Sequence, residues 1–359
     1  MPAPEDAPHD EQGPRAPLDL QVALTPFQKA CRYSFGWTLQ TIVAILTWNW
    51  DFSVRQRKYR IKRSIYTGAA TGPCRLVIFL PQNGQVTKNA GVVVHCHGGG
   101  WTICRPEIEY SLAQTMADEL GTVVVAPDYH KAPYRPYPHA LLQCRAVLEW
   151  IASGGLSLLL PASVTVDTTR IALSGCSAGG NLAAALTLLA VRVPLPHTAQ
   201  VTGLGLLYPA LDLSRTYSQK LALSQPEVQV LPRWLSLFFF HSYLPQPIDK
   251  TDPLVSPLLA KDAELERFPR TAVITADHDY LADEGDAFVN KLKSLRVEVH
   301  HRKFEEVGHA FDLVPVVPWS RKMIARNRQA KQEAHALVVE VLREAVAPRA
   351  AVHEREDSF

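Results

Sequence analysis

The sequence predicts an α/β fold in which helices cover both faces of an open, mostly parallel β-sheet. Three observations predict it. Short apolar runs recur along the chain: Arg75–Leu80, Val92–Cys96, Thr122–Pro127, Ile171–Gly175, Leu204–Pro209, Thr271–Ala276 and Val297–His301. Most are near-continuous Val, Ile and Leu rather than alternating, the pattern of strands buried on both faces. Between them lie segments with helical spacing, near 108–120, 138–152, 178–192, 281–295 and 319–346. A charged strand ahead of the first run brings the sheet to eight, and neither a repeat nor a linker divides the chain.

The elements follow in order. Residues 1–17, MPAPEDAPHDEQGPRAP, have almost nothing to bury and read as a disordered lead. Residues 18–54 are expected to form a cap region. Within it the uncharged stretch 33–50, YSFGWTLQTIVAILTWNW, sits at the lower edge of the length that spans a bilayer. Ser34, Thr38, Gln40, Thr41 and Thr47 interrupt it, while Phe35, Leu39, Ile42, Val43, Leu46 and Trp50 recur at helical spacing. That predicts an amphipathic helix laid on the protein, with a membrane-associated helix as the alternative.

RQRKYRIKR, residues 55–63, carries six basic residues. Its continuation RIKRSIY has strand period, so an edge strand guarded by charge is expected. Contact with anionic lipid through residues 33–63 is the alternative. The main domain should run from 55 to 350, with a flexible tail at 351–359. Residues 214–245, containing LPRWLSLFFFHSYL, are too apolar for an exposed connection. Such insertions at the C-terminal edge of a parallel sheet cover the ligand site, which predicts a helical lid.

With 359 residues, 47% of them hydrophobic, the chain can bury a substantial core, and its net charge of +2 gives no reason to expect nucleic acid. Six scattered cysteines, without a signal-peptide pattern or an Asn-x-Ser/Thr site, predict a reducing, cytoplasmic setting, with membrane association through the N-terminal helix as the alternative. His95 and His97 share a strand face and could read as a metal pair. No further ligand cluster follows, so neither metal nor cofactor is expected. Nothing in the sequence bears on oligomeric state.

The chemistry is carried by two motifs. The strand IALS runs into GCSAGG, which puts Ser177 on a strand-to-helix turn with Gly175 and Gly179 two residues to either side. Glycines are needed there because strand and helix approach too closely for a Cβ. A serine hydroxyl needs a base beside it, and the base needs an orienting acid. His309, in a loop just after the last strand, is the candidate base. Asp277, Asp279, Asp283 and Glu284 compete for the acid; Asp283 and Glu284 suit a helix start regardless of chemistry, which leaves Asp279 as first choice. HGGGW, residues 97–101, exposes backbone N–H groups. Gly98, Gly99 and Gly100, with Ala178, are the expected oxyanion hole. A phosphate cradle would need G-x-G-x-x-G or a G-K-[ST] terminus, and neither is present.

Together HGGGW, DYHKAPYRPYPHAL (128–141), GCSAGGN (175–181), DPLVSPLLA (252–260), DYLADEG (279–285) and GHAFD (308–312) resemble the hormone-sensitive-lipase-like branch of the α/β-hydrolase superfamily, whose arylacetamide deacetylase relatives share His-Gly-Gly-Gly-Trp. The resemblance covers roughly residues 75–345. It implies an α/β-hydrolase fold, a Ser177–Asp279–His309 triad, and a lid made from the N-terminal segment and the 214–245 insertion. Two places depart from the pattern and bear on pocket shape and pH behaviour. Cys176 stands where an acid often precedes the serine, and Cys104 and Arg105 follow the glycine loop where small residues are common.

The expected activity is hydrolysis of small to medium acyl esters through an acyl-serine, on a small-molecule substrate bound by Trp101, Trp234 and Phe238, with Phe239 and Phe240 beside them in the lid. A specialised-metabolite deacetylase, a lactonase or a formamide hydrolase would use the same machinery. A ligand receptor without turnover is the reading from another class, and retention of His309 argues against it.

Overall fold

The structure, a computed structural model, describes residues 25–46, 60–224, 231–245, 247–313 and 321–348. The expected lead at 1–17, the tail at 351–359 and the basic residues Arg55, Arg57 and Lys58 lie outside the described residues. Helix α1 (Pro26–Leu46) precedes the sheet, beginning seven residues before the uncharged stretch because Phe27, Lys29 and Ala30 continue the helix backwards from it.

Among the described residues the sheet has eight strands: β1 (Arg60–Tyr66), β2 (Pro73–Phe79), β3 (Ala90–Cys96), β4 (Val123–Asp128), β5 (Val166–Cys176), β6 (Gln200–Leu207), β7 (Thr271–His278) and β8 (Val299–Gly308). Their spatial order is β1-β2-β4-β3-β5-β6-β7-β8. The β1–β2 and β2–β4 pairs are antiparallel and every other pair is parallel. β3, entirely buried, is flanked by β4 and β5 at the centre. That position is why AGVVVHC shows no polar alternation.

α3 (His139–Ala152), α4 (Ala178–Arg192) and α8 (Ala282–Ser294) bury Leu141, Leu186 and Phe288 in one core layer. On the other face, α2 (Tyr110–Leu120) and α9 (Arg321–Val346) bury Leu112, Met116, Val338 and Leu342. Over the C-terminal edge of the strands lie α5 (Tyr217–Ala222) and α6 (Arg233–Tyr243); the short α7 (Asp262–Leu265) sits at the far end of α4, where Glu264 pairs with Arg192.

β8 is longer than the apolar run Val297–His301 and displaced towards the C-terminus. Arg302, Lys303, Glu305 and Glu306 are exposed along it, with only Phe304, Val307 and Gly308 buried. Among the described residues β8 pairs with β7 alone, so its outer half is polar, as an edge strand should be. Among the described residues no helix is long and apolar enough to cross a membrane. α1 instead packs on the protein: Tyr33 stacks on Tyr134 at 5.3 Å, Gln40 Nε2 donates to the Thr102 carbonyl at 2.7 Å, and Arg32 Nη1 donates to the His241 carbonyl at 2.6 Å.

Candidate active site

β5 ends at Cys176 and α4 begins at Ala178, so Ser177 alone makes the turn, with φ +54° and ψ −119°. The glycines around it are sterically required. A Cβ at Gly175 would lie 2.2 Å from the Gly179 carbonyl oxygen, and one at Gly179 would lie 1.9 Å from the Cys96 carbonyl oxygen on β3. The turn is pinned by Ser177 N–H to the Leu207 carbonyl at 2.9 Å, and Asn181 Nδ2 ties the first turn of α4 to the Val255 carbonyl at 2.9 Å.

The loops after β7 and β8 deliver the other two side chains. His309 Nε2 lies 2.8 Å from Ser177 Oγ, and His309 Nδ1 lies 2.7 Å from Asp279 Oδ2. The second oxygen of Asp279 accepts the Leu281 N–H at 3.0 Å, which fixes the carboxylate plane. Asp279 and His309 are both buried. The rival acids go elsewhere. Asp283 pairs with Arg215 at 2.8 Å, Glu284 pairs with Lys220 at 2.6 Å and accepts the Leu211 N–H, and Asp277 faces His278 at 3.8 Å. Burial pushes Glu284 up to about 6 against the pull of Lys220.

In the glycine loop Gly99 and Gly100 take φ +107° and +57°, conformations a side chain resists. Gly98 departs from the expectation of a third oxyanion donor, because its N–H is already committed to Glu109 Oε1 at 2.8 Å. His97 supports the loop. Its Nδ1 lies 2.7 Å from the Gly98 carbonyl, and its ring stacks on Tyr129 at 4.3 Å, while the Tyr129 hydroxyl donates to the His97 carbonyl. Burial first, then the Lys131 charge, push His97 down to about 3, so the ring is neutral near pH 7. The thiols near the loop are kept protonated by burial: Cys104 is pushed up to about 12 and Cys176 well above its ordinary value.

Ser177 opens into a cavity of about 120 Å³ whose lining includes Gly100, Trp101, Ala178, Phe239, Phe240 and Tyr280. Trp101, buried, stacks on Tyr243 at 4.3 Å. Of the other expected substrate contacts, Trp234 and Phe238 lie outside the lining of this cavity. They lie four residues apart on the opposite side of α6, where Phe35 of α1 meets Phe238 at 4.8 Å and Trp234 at 6.2 Å. Helical period sends Ser236, Phe239 and Phe240 inward instead. An apolar run such as LFFF does not show from composition which phenylalanine faces in. Sequence reading also missed Tyr208, which meets the His309 ring edge-on at 4.9 Å and donates its hydroxyl to Asp312. The only local signal is the Tyr-Pro that closes β6 and the Asp of GHAFD.

This sheet order, the strained serine between β5 and α4, and the His–Asp pair from the loops after β8 and β7 define a hydrolase of the α/β class. Residues 93–313 match the family described as alpha/beta hydrolase fold, and the chain belongs to that family, in its hormone-sensitive-lipase-like branch. It is a carboxylesterase/deacetylase-type hydrolase. An arylesterase of Saccharolobus solfataricus is 31% identical over 223 residues, covering 62% of this chain and 69% of that protein. Rabbit (Oryctolagus cuniculus) arylacetamide deacetylase is 28% identical over 287 residues, covering 65% and 71%. Among solved structures, an esterase of Pyrobaculum calidifontis superposes with a TM-score of 0.71 at 25% identity, covering 90% of this chain and all of that one.

Proposed function

We propose that the protein hydrolyses small to medium carboxylic esters through an acyl-Ser177 intermediate. Ser177 Oγ attacks the carbonyl carbon while His309 Nε2 takes its proton. The imidazolium, stabilised by Asp279, returns that proton to the departing alcohol, and a water activated by the same nitrogen then cleaves the acyl-enzyme. The developing oxyanion is held by the N–H groups of Gly99, Gly100 and Ala178; at the first residue of a helix the N–H has no intrahelical acceptor and is available.

The single observation that carries this reading is the unbroken relay from Ser177 Oγ through His309 to Asp279, at 2.8 and 2.7 Å. The cavity of about 120 Å³, walled by Trp101, Phe239 and Phe240, supports short acyl groups over long ones. The relay also weighs against a receptor without turnover.

The test is purified Ser177→Ala on p-nitrophenyl acetate and butyrate. The expected result is loss of turnover by at least about 10⁴-fold. A variant that hydrolyses either ester at the parent rate refutes the reading. Across an acyl-length series on the parent, kcat/KM should fall beyond medium chains, and a profile rising towards long chains would refute the pocket assignment.

A further inference from the structure

Beneath the glycine loop lies a buried acid that the proposed chemistry does not use. Glu109 closes a one-turn 3-10 helix, Pro106–Glu109, that leads into α2. Its Oε1 accepts the Gly98 N–H at 2.8 Å, and its Oε2 lies 2.8 Å from Nε2 of His95 on β3. The Glu109 side chain is 2% exposed and the His95 side chain 0%. Cys176, the residue before Ser177, completes a cluster whose polar atoms lie within 4.8 Å of one another. Such a trio could be taken for a metal site, but both Glu109 oxygens are already engaged, and burial keeps the Cys176 thiol protonated. The two hydrogen bonds of Glu109, to His95 and to the Gly98 N–H, account for where its carboxyl group sits.

Burying a carboxylate is costly unless its partners are well placed, so the location calls for a role. Gly98 supplies one. A Cβ there would sit 2.9 Å from the Cys176 carbonyl oxygen and 3.0 Å from Glu109 Oε1, so loop, acid and nucleophile turn are pressed together. Consecutive glycines are the most mobile backbone a chain can offer, whereas an oxyanion hole works only when its donors are aimed before the charge develops. The Gly98 residue is gripped on two sides, its N–H by Glu109 and its carbonyl by His97 Nδ1.

We propose that Glu109, oriented by His95, is a positioning residue that locks the glycine loop through the Gly98 N–H and so aims the Gly99 and Gly100 donors at the oxyanion. The proposal rests on the serine-hydrolase reading above. What matters is an oxygen acceptor at that point, so an amide serves where a hydrocarbon does not.

The experiment uses the full chain, with active sites counted by fluorophosphonate titration so that kcat is expressed per competent serine. Glu109→Ala and Glu109→Leu should lower kcat on p-nitrophenyl butyrate by roughly 10²-fold, with KM changed less than about threefold. Affinity for a trifluoromethyl ketone, whose adduct with serine places an oxyanion in the hole, should fall by the same factor. Glu109→Gln should recover most of the rate, because its amide oxygen can accept from Gly98 N–H. A residue that only supports the fold would lower the melting temperature and the count of competent sites, leaving kcat per site and the ketone-to-substrate affinity ratio unmoved. Per-site kcat within about twofold of the parent in the Ala and Leu variants overturns the proposal. If those two fail to fold, Glu109→Gln decides, since a 10²-fold loss at the parental melting temperature would show that an acceptor oxygen is not what the loop needs. Absence of fluorophosphonate labelling at Ser177 in the parent overturns the underlying hydrolase reading itself, and is told apart from failure at Glu109 because it appears without any substitution.

Discussion

At Ser177 the backbone holds a left-handed φ of +54°, a conformation that costs a side-chain-bearing residue on the order of 1–3 kcal/mol and persists where the surroundings enforce it. Here the surroundings are the Leu207 carbonyl, which accepts from Ser177 N–H, and the close approach of α4 to β3 across Gly179. The acid can be tested at the same scale. Asp279→Asn should cut kcat by about 10⁴-fold while leaving the fold intact, because the amide favours the wrong imidazole tautomer. Asp277→Asn, with no contact to His309, is the control and should remain near parental; equal losses in the two would refute the assignment. Gly100→Ala gives a second test. A Cβ at Gly100 would lie 2.1 Å from the Phe239 ring, so the variant should lose roughly 10²-fold in kcat. Adding Phe239→Ala should recover part of that loss, and strict additivity of the two substitutions would count against the clash.

At the scale of elements, α1 packs on the side of α6 away from the cavity that α6 helps to wall. Their contact is aromatic: Phe35 edge-on to Phe238 and Trp234. Arg32 adds its hydrogen bond to the last turn of α6 through the His241 carbonyl. Aromatic pairs of this geometry contribute about 0.5–1.5 kcal/mol beyond burial. Phe35→Ala should therefore lower stability by about 1 kcal/mol and speed limited proteolysis within α1 and α6, with the sheet core cleaved no faster. Unchanged melting and an unchanged cleavage pattern would show that α1 does not secure α6.

For the whole molecule, the charges behind the glycine loop set the acid limit of stability. Arg75 grips Glu107 through two bonds, 2.6 and 2.9 Å, and reaches Asp128 at 2.8 Å, while Lys131 reaches Asp128 from the other side. Burial alone would raise Glu107, but Arg75 and Lys62 overcome it and hold the acid down to about 2. Asp128 is likewise held below the usual carboxylate range by Lys131 and Arg75 against burial. His97, buried and neutral, is pushed down to about 3. The sign is the same for all three. Below about pH 6.5 the unfolded chain protonates His97 while the folded chain does not, and below about pH 4.5 the unfolded carboxylates take up protons that the folded ones refuse. Glu284, raised to about 6 by burial, has the opposite sign and offsets part of the fall between about pH 6 and 4.5, where His97 is joined by His130 and His139, also lowered by burial. Stability should thus fall shallowly from about pH 6.5 to 4.5 and more steeply below, measurable as urea midpoints at about pH 7, 5.5, 4.5 and 3.5. A flat midpoint across that range would refute this account.

Strand and helix positions were readable because burial writes itself into composition. β3 is apolar since it sits mid-sheet, and α4 follows a serine flanked by glycines since nothing larger fits. The candidate serine, histidine and glycine loop stood out for the same local reason, each lying at a strand end with its own motif. Choosing among four nearby acids was a different matter. Asp277, Asp279, Asp283 and Glu284 fall within eight residues, and what separates them is which one the turn after β7 brings within 2.7 Å of a ring arriving from β8. The inward phenylalanines of α6, the contact of Tyr208 with His309 and the capture of Gly98 by Glu109 were equally hidden. Each depends on contacts between segments distant in the chain, and a one-dimensional pattern carries no record of which side of a helix a remote partner will occupy.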